Sequence, residues 1–241
     1  FGSVLENVVM DPVTRVPDYD SAKKAENTRV TYPVHFIANA KIPSIAGHPK
    51  NVVFLSADAF GVLPPVSKLS PEQAMYYFLN GYTSKLAGTE AGVKEPQPNF
   101  SPCFGGPFLP RPPMVYAEML AERIKKHGAH VWLLNTGWTG GPYGVGNRFK
   151  LSYTRTFVTR ILDGSLAKVP FETHPIFGLQ MPTAVEGVPS DVLNPRNTWV
   201  GGPGADKAAY DAKATELAKK FRENESKFKM TAEVIAAGPR V

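Results

Sequence analysis

The sequence predicts an α/β fold built on a mixed sheet, and three patterns along the chain support that prediction. Residues 51–57 (NVVFLSA) form a β-branched apolar run typical of a central strand. Residues 114–127 place apolar side chains on one helical face, and residues 131–134 form a second short apolar strand. A strand, a helix and a strand in this order are typical of a βαβ crossover, which joins parallel strands.

The residues before this crossover indicate short strands and turns. Residues 1–10 alternate well enough for a strand, and residues 11–24, with two prolines, indicate a loop or hairpin tip. Residues 30–37 predict another strand, in which Pro33 favours an edge or a bulge. Because the chain starts with Phe1 in an apolar pattern rather than with Met, we expect it to be a piece of a longer protein.

The stretch that follows the first crossover strand alternates rigid turns with one short helix. Asp58 lies directly after the strand, where an aspartate serves either as a metal ligand or base or as the cap of the next turn. Pro64 and Pro65 predict a rigid loop over residues 62–69. A helix then begins with Ser70 as N-cap and Gln73 completing a capping box. The expected apolar face of this helix consists of Met75, Phe78, Leu79 and Tyr82.

Two polar or proline-rich segments separate that helix from the next. Residues 84–102 are long, polar and rich in glycine and proline, which is typical of a lid or a disordered segment. Residues 107–113 contain four prolines and predict a rigid connector. The helix over residues 114–127 should end at Gly128.

A glycine-rich loop follows the second crossover strand, within residues 135–155. Five glycines and one proline fall in the ten positions 137–146, so the backbone must turn repeatedly or approach something closely. No acidic residue occurs between Glu122 and Asp163, an interval that contains seven lysines and arginines. A strand, a glycine loop and unpaired cations favour a phosphate-bearing ligand, although a plain connector remains an alternative.

The remainder of the chain predicts helices around an irregular stretch. Residues 154–162 should be helical, with Thr154 near the N-terminus, where free N–H groups favour an anionic or polar ligand. Residues 166–200 are proline-rich and indicate packing surface rather than chemistry. Residues 205–228 predict a helix, and residues 231–237 a last helical turn or two. The inward face of the 205–228 helix should consist of Tyr210, Ala214, Leu217 and Phe221.

Composition argues against several classes of function. The net charge of +6 favours anionic partners, but the positive excess is concentrated around residues 123–160 and no basic tail supports nucleic-acid binding. No apolar run approaches the ~20 residues of a membrane span. Cys103 is the only cysteine, which indicates a reducing, intracellular compartment and a buried small residue rather than a nucleophile. The five histidines lack metal-ligand spacing, and no GxxxxGK[ST] phosphate loop occurs.

Several segments together resemble one enzyme family along essentially the whole chain. They are ENTR (26–29), ADAFGVLPPVSKL (57–69), GYTSKLAGTEAGVKEPQP (81–98), LNTGWTGG (134–141), GNRFKLSYTR (146–155) and AAGP (236–239). These segments are similar to the C-terminal half of ATP-dependent phosphoenolpyruvate carboxykinase. The resemblance implies a mixed-sheet α/β nucleotide-binding C-terminal domain of that type over residues 1–241, with a mobile lid at about 84–102.

The resemblance also implies an activity and a set of site residues. The family decarboxylates oxaloacetate and transfers the ATP γ-phosphoryl group, giving phosphoenolpyruvate, ADP and CO2 with Mg2+ and Mn2+ in gluconeogenesis. It implies that Arg29 reaches the phosphates and the substrate as a catalytic residue. It implies that Arg148 and Phe149 flank the adenine and that Thr154 hydrogen-bonds it. From the residues alone, Arg29 is equally well a surface arginine paired with Glu26.

The family's phosphate loop and metal ligands correspond to positions before Phe1. We therefore expect this stretch to be inactive unless it joins the missing N-terminal part. The alternative is a non-catalytic nucleotide-binding module derived from the same fold. A cytoplasmic location is expected, with a peroxisome-like organelle as the alternative even though the final PRV is not an SKL signal. A homodimer stays open, and neither nucleic acid nor membrane is an expected partner.

Overall fold

The computed structural model describes residues 1–24, 28–85, 95–200 and 206–240. The chain divides into two compact units. The first comprises Phe1–His48 and Lys85–Gln97, and the second comprises Pro49–Ser84 and Pro98–Val241.

The first unit contains two short antiparallel pairs. Its strands are β1 (Val4–Glu6), β2 (Val9–Met10), β3 (Pro17–Asp18) and β4 (Arg29–Thr31). β1 pairs with β4, and β2 pairs with β3. The predicted strand over residues 1–10 is interrupted at Asn7, whose φ of 63° is incompatible with extended backbone. Of the residues 11–24 predicted to form a loop or hairpin tip, residues 11–16 form the tip of the β2–β3 hairpin. The strand predicted for 30–37 is wrong beyond Thr31, because a short 3-10 helix begins after Pro33, which lacks an N–H for pairing.

The second unit is organised around a five-stranded mixed sheet. Its strands, in spatial order, are β12 (Phe171–Thr173), β13 (Gln180–Pro182), β6 (Val66–Leu69), β9 (His130–Asn135) and β5 (Asn51–Ser56). β5 and β9 are parallel, whereas the other pairs are antiparallel. The predicted mixed sheet is therefore confirmed, as is the parallel pairing expected of a βαβ crossover, but the connection from β5 to β9 also contains β6, a strand of the same sheet. Two further two-stranded sheets are β7 (Tyr82–Lys85) with β8 (Gln97–Phe100) and β10 (Trp138–Thr139) with β11 (Asn147–Arg148).

Three predictions about the strands and loops of this unit need correction. β5 lies at the sheet edge rather than at its centre, and Leu55 on it is 60% exposed. The loop predicted for residues 62–69 contains β6, because both prolines precede Val66 and leave the backbone donors of the strand intact. The segment 166–200, predicted to be irregular, supplies the hairpin of β12 and β13.

Six α-helices are formed by the described residues. They are α1 (Pro71–Asn80), α2 (Pro113–His127), α3 (Leu151–Leu162), α4 (Ser190–Leu193), α5 (Lys207–Glu225) and α6 (Ala232–Ala236). The capping box of Ser70 and Gln73 is confirmed. Tyr82 is not part of α1, because Gly81 adopts a left-handed conformation (φ 53°) and ends the helix. None of these helices is long and apolar enough to cross a membrane.

The sheet separates two apolar cores. Phe54, Val131 and Leu133 face a core that includes residues of α1 and α5. Trp132 and Leu134 face the opposite way, into a core that includes residues of α3. This alternation follows from the period of two along a strand. All four residues predicted for the inward face of α5 are fully buried.

Candidate functional site

The glycine-rich loop leaves the sheet at the carboxyl end of β9 and folds into a small hairpin. β10 and β11 pair so that Trp138 lies opposite Arg148. Gly140, Gly141 and Gly144 have positive φ values of 72°, 151° and 85°, which residues with a side chain rarely adopt. The backbone therefore turns repeatedly, as the glycine content predicts.

Asp58 fixes the turn that follows β5, at the same edge of the sheet. One carboxylate oxygen accepts hydrogen bonds from the Phe60 N–H (2.9 Å) and the Tyr82 hydroxyl (2.7 Å). The other accepts from the N–H groups of Val62 (2.8 Å) and Leu63 (2.9 Å). Burial raises the pKa of Asp58, and these donors act in the opposite direction by favouring the carboxylate. Asp58 is thus the cap of a turn, the second of the two roles left open by the sequence.

Asn135 joins this turn to the glycine loop. Its side-chain oxygen accepts from the N–H groups of Asp58 (3.0 Å) and Gly137 (2.9 Å), and its amide donates to the Leu63 carbonyl (2.9 Å). A Cβ at Gly137 would overlap the Asp58 backbone, so only glycine allows this approach. Asn135 was not among the site residues expected from the sequence. The available signal was a polar amide ending an apolar strand two residues before a glycine.

Arg148 is held across an aromatic ring at the exposed edge of the loop. Its guanidinium carbon lies 5.3 Å from the centroid of the Trp138 ring. Its Nε and Nη2 both donate to the Thr136 carbonyl, at 3.2 and 3.1 Å. The side chain is fixed at two points while the residue remains exposed, so its guanidinium plane is oriented before any ligand arrives.

Phe149 lies two residues before α3, and Thr154 lies in the first turn of that helix. Phe149 is only 7% exposed, and its N–H donates to the Gly137 carbonyl (2.9 Å). The helix begins at Leu151, three residues earlier than predicted, and the Thr154 N–H already bonds to the Lys150 carbonyl (3.3 Å). The expectation that Thr154 offers free helix N–H groups is therefore wrong. Its hydroxyl has no hydrogen-bond partner within the described ranges.

Arg29 lies in the first unit, in β4 opposite Glu6. Its Nη2 is 2.8 Å from the Glu6 carboxylate, and its side chain is 70% exposed. The alternative pairing with Glu26 lies outside the described residues. Arg29 is thus an exposed guanidinium in a weak ion pair.

Other candidate side chains have structural roles. Nδ1 of His174 accepts from the N–H groups of Ile176 (3.2 Å) and Phe177 (3.1 Å), while Nε2 lies 2.7 Å from the Tyr210 hydroxyl. Burial lowers the pKa of His174 to about 4 and raises the pKa of Cys103 to about 11. Within residues 1–24, 28–85, 95–200 and 206–240, no group of three or more His, Cys, Asp or Glu side chains is arranged to hold a metal ion.

The chain is similar to known proteins of one family. The family model described as phosphoenolpyruvate carboxykinase matches residues 1–191. A phosphoenolpyruvate carboxykinase (ATP) of Lysinibacillus sphaericus is 63% identical over 235 residues, covering 98% of this chain and 44% of the relative. Relatives of the same name from Moorella thermoacetica (number 1) and Rhodopseudomonas palustris are 62% and 57% identical, covering 95% and 100% of this chain and 43% and 44% of their own lengths. The chain therefore spans less than half the length of these relatives.

Proposed function

Because the chain belongs to the ATP-dependent phosphoenolpyruvate carboxykinase family, we propose that it is part of an enzyme converting oxaloacetate and ATP to phosphoenolpyruvate, ADP and CO2. The complete activity belongs to the full-length enzyme, by which we mean the polypeptide containing these 241 residues and the portion outside them. The observation that best supports a nucleotide site in this chain is the exposed Arg148 guanidinium, fixed on Trp138 beside the glycine loop.

Arg148, Phe149 and Thr154 form the adenine site in this proposal. The Thr136 carbonyl and the Trp138 ring constrain the Arg148 guanidinium, and an oriented guanidinium plane stacks on a base with little loss of side-chain entropy. The Thr154 hydroxyl, which is both donor and acceptor, suits the polar edge of adenine. Phe149 contributes an apolar backing from its buried position rather than an open stacking surface.

Arg29 acts on the phosphates and the substrate in this proposal. An arginine presents its donors in a fork that matches phosphate oxygens, and it stabilises the negative charge that accumulates during phosphoryl transfer. Arg29 would have to leave its ion pair with Glu6 to bind a phosphate. Both side chains of that pair are exposed, so breaking it costs at most about 1 kcal/mol. Arg29 is therefore available to an anionic ligand.

The segment around residues 84–102 is the lid in this proposal, closing over the reactants to exclude water. Its central residues 86–94 lie outside the described part of the chain, and its flanks form β7 and β8. Metal-dependent catalysis would use Mg2+ and Mn2+. In this proposal the metal ligands and the phosphate loop lie in the portion of the enzyme outside this chain, as the family resemblance implies.

The edge strand β5 is the proposed place where that other portion joins the sheet. On β5, Val53 and Leu55 are 37% and 60% exposed although both are apolar. A sheet edge with an uncovered apolar face is a surface on which a further strand or helix would pack. A cytoplasmic location and a homodimer remain proposals that follow from the family alone.

Replacing Arg29 tests this proposal. In the full-length enzyme, Arg29→Met should lower kcat for phosphoenolpyruvate formation by about a thousandfold, because a cation that stabilises the transition-state charge is removed. Arg15→Met, which removes another exposed arginine of the same unit, should leave kcat within about twofold.

The alternative is a non-catalytic nucleotide-binding module. ATP binding by the unaltered full-length protein without any turnover would favour that alternative. Equal kcat values for the Arg29 and Arg15 variants would instead remove the catalytic role of Arg29. The 241 residues expressed alone should give no turnover, and detectable turnover would refute the need for the other portion.

A further inference from the structure

A cavity of the second unit, lined by no residue of the glycine loop, has the character of an anion site. Its volume is about 560 Å3, within the usual range for small-ligand pockets. Its lining comes from β6, the start of α1, the β12–β13 hairpin and the segment after α6. None of Arg148, Phe149 and Thr154 lines it.

The charged residues of this cavity are all cationic. Lys68 and Arg240 line it, and no aspartate or glutamate does. In the part of the chain that the structure describes, neither side chain has a carboxylate within 4.0 Å. Two cations that share a cavity without a counter-charge repel each other, and a bound anion would remove that repulsion.

Neighbouring groups hold the walls of the cavity in place. The Lys68 ammonium lies 5.8 Å from the centroid of the Phe171 ring. The backbone N–H of Arg240 donates to the Ile176 carbonyl at 2.6 Å, which anchors the segment after α6. The Gln180 amide donates to the Thr173 hydroxyl at 2.7 Å. These contacts occupy few of the N–H donors in the cavity wall with which a bound anion would form hydrogen bonds.

In a second cavity nearby, a cationic side chain is neutralised by a carboxylate of the same cavity. Its volume is about 540 Å3, and Thr173 lines both cavities. In the second cavity, however, Arg196 forms a bidentate pair with Asp211, with both distances 2.8 Å. Of these two cavities, the first therefore combines two cations with no internal anion, and the second does not.

From these observations we propose that the cavity lined by Lys68 and Arg240 binds a small multivalent anion, either a polycarboxylate or a phosphate ester. The Lys68 ammonium and the Arg240 guanidinium would bind its charged groups, and Phe171 would contact its carbon skeleton. The proposal does not depend on the catalytic activity proposed above.

Calorimetric titration of the full-length enzyme with citrate and with glycerol 3-phosphate, both in saturating ADP, tests the proposal. ADP occupies the nucleotide site, and the Lys68→Met and Arg240→Met variants then decide whether the heat of binding comes from this cavity or from the oxaloacetate site. Citrate, glycerol 3-phosphate or both should bind, and whichever binds identifies the class of ligand. Lys68→Met and Arg240→Met should each weaken binding about tenfold, since each removes a charge-assisted contact.

Two further variants control for net charge and for folding. Lys219→Met removes an exposed cation of α5 and should leave the affinity within about twofold. Arg240→Lys keeps the charge and should retain most of the affinity. The proposal is refuted if neither probe binds, or if Lys68→Met and Arg240→Met weaken binding no more than Lys219→Met does. Such a failure leaves the catalytic proposal standing, because that proposal is tested through Arg29.

Discussion

The substitution Asp58→Asn should loosen the turn after β5 while leaving the volume of the side chain almost unchanged. An asparagine has one acceptor oxygen where the carboxylate has two. If its oxygen keeps the bonds to Val62 and Leu63, its NH2 group faces the Phe60 N–H and the Tyr82 hydroxyl. The Tyr82 hydroxyl can rotate so that its oxygen accepts a hydrogen bond from this NH2 group. The Phe60 N–H can only donate, so it is left without a partner.

The magnitude follows from this count of hydrogen bonds. One buried N–H left without a partner costs about 1–3 kcal/mol, and replacing charge-assisted bonds by neutral ones adds to that loss. The free energy of local opening should therefore fall by about 2–4 kcal/mol, which corresponds to exchange roughly 30- to 1000-fold faster at these amides. Tyr82→Phe removes only one of these hydrogen bonds and should lower the free energy of local opening by about 1–2 kcal/mol.

Native-state hydrogen exchange of a peptide covering residues 57–65 in the full-length enzyme measures this effect. Asp163→Asn is the matched control, because that exposed aspartate bonds only within its own surface region. If Asp58→Asn accelerates exchange no more than Asp163→Asn does, the carboxylate does not hold this turn and the reasoning fails.

Two further predictions concern His174 and the glycine loop. Between pH 6.5 and about 4 the unfolded chain binds a proton that buried His174 does not, so stability should fall with falling pH, by up to about 3 kcal/mol. The denaturation midpoint should show this slope, and His174→Gln should flatten it; an unchanged slope would contradict the account. Gly137→Ala should weaken ATP binding at least about tenfold, because its Cβ overlaps the Asp58 backbone. Gly47→Ala, where a Cβ meets nothing within 4 Å, should have no effect, and equal affinities for both variants would refute the prediction.

Local patterns predicted the parts of the fold that depend on local chemistry. The capping box at Ser70, the stop at Gly128 and the inward face of α5 follow from capping and from helical periodicity. The position of a strand within the sheet does not follow from such patterns. The apolar run of β5 indicates a buried strand, yet β5 lies at the edge of the sheet. Pro64 and Pro65 indicate a loop, yet β6 begins directly after them.

The site shows the same division between local and long-range effects. The glycine content predicted the turns of the loop, and the alternative of Asp58 as a cap was confirmed. The link through Asn135 spans 77 residues to Asp58, and no spacing within the sequence indicates it. Likewise, Trp138 becomes the platform for Arg148 only when β10 and β11 pair.

The most direct test of the nucleotide site compares ATP with inorganic tripolyphosphate as ligands of the Arg148→Ala full-length enzyme. If Arg148 stacks on adenine, this variant should bind ATP about tenfold more weakly and tripolyphosphate within about twofold of the unaltered enzyme. Arg155→Ala, which removes an exposed cation from α3, should change neither affinity by more than about twofold. Equal weakening of both ligands by Arg148→Ala would place this residue on the phosphates, and no weakening of either would remove it from the site.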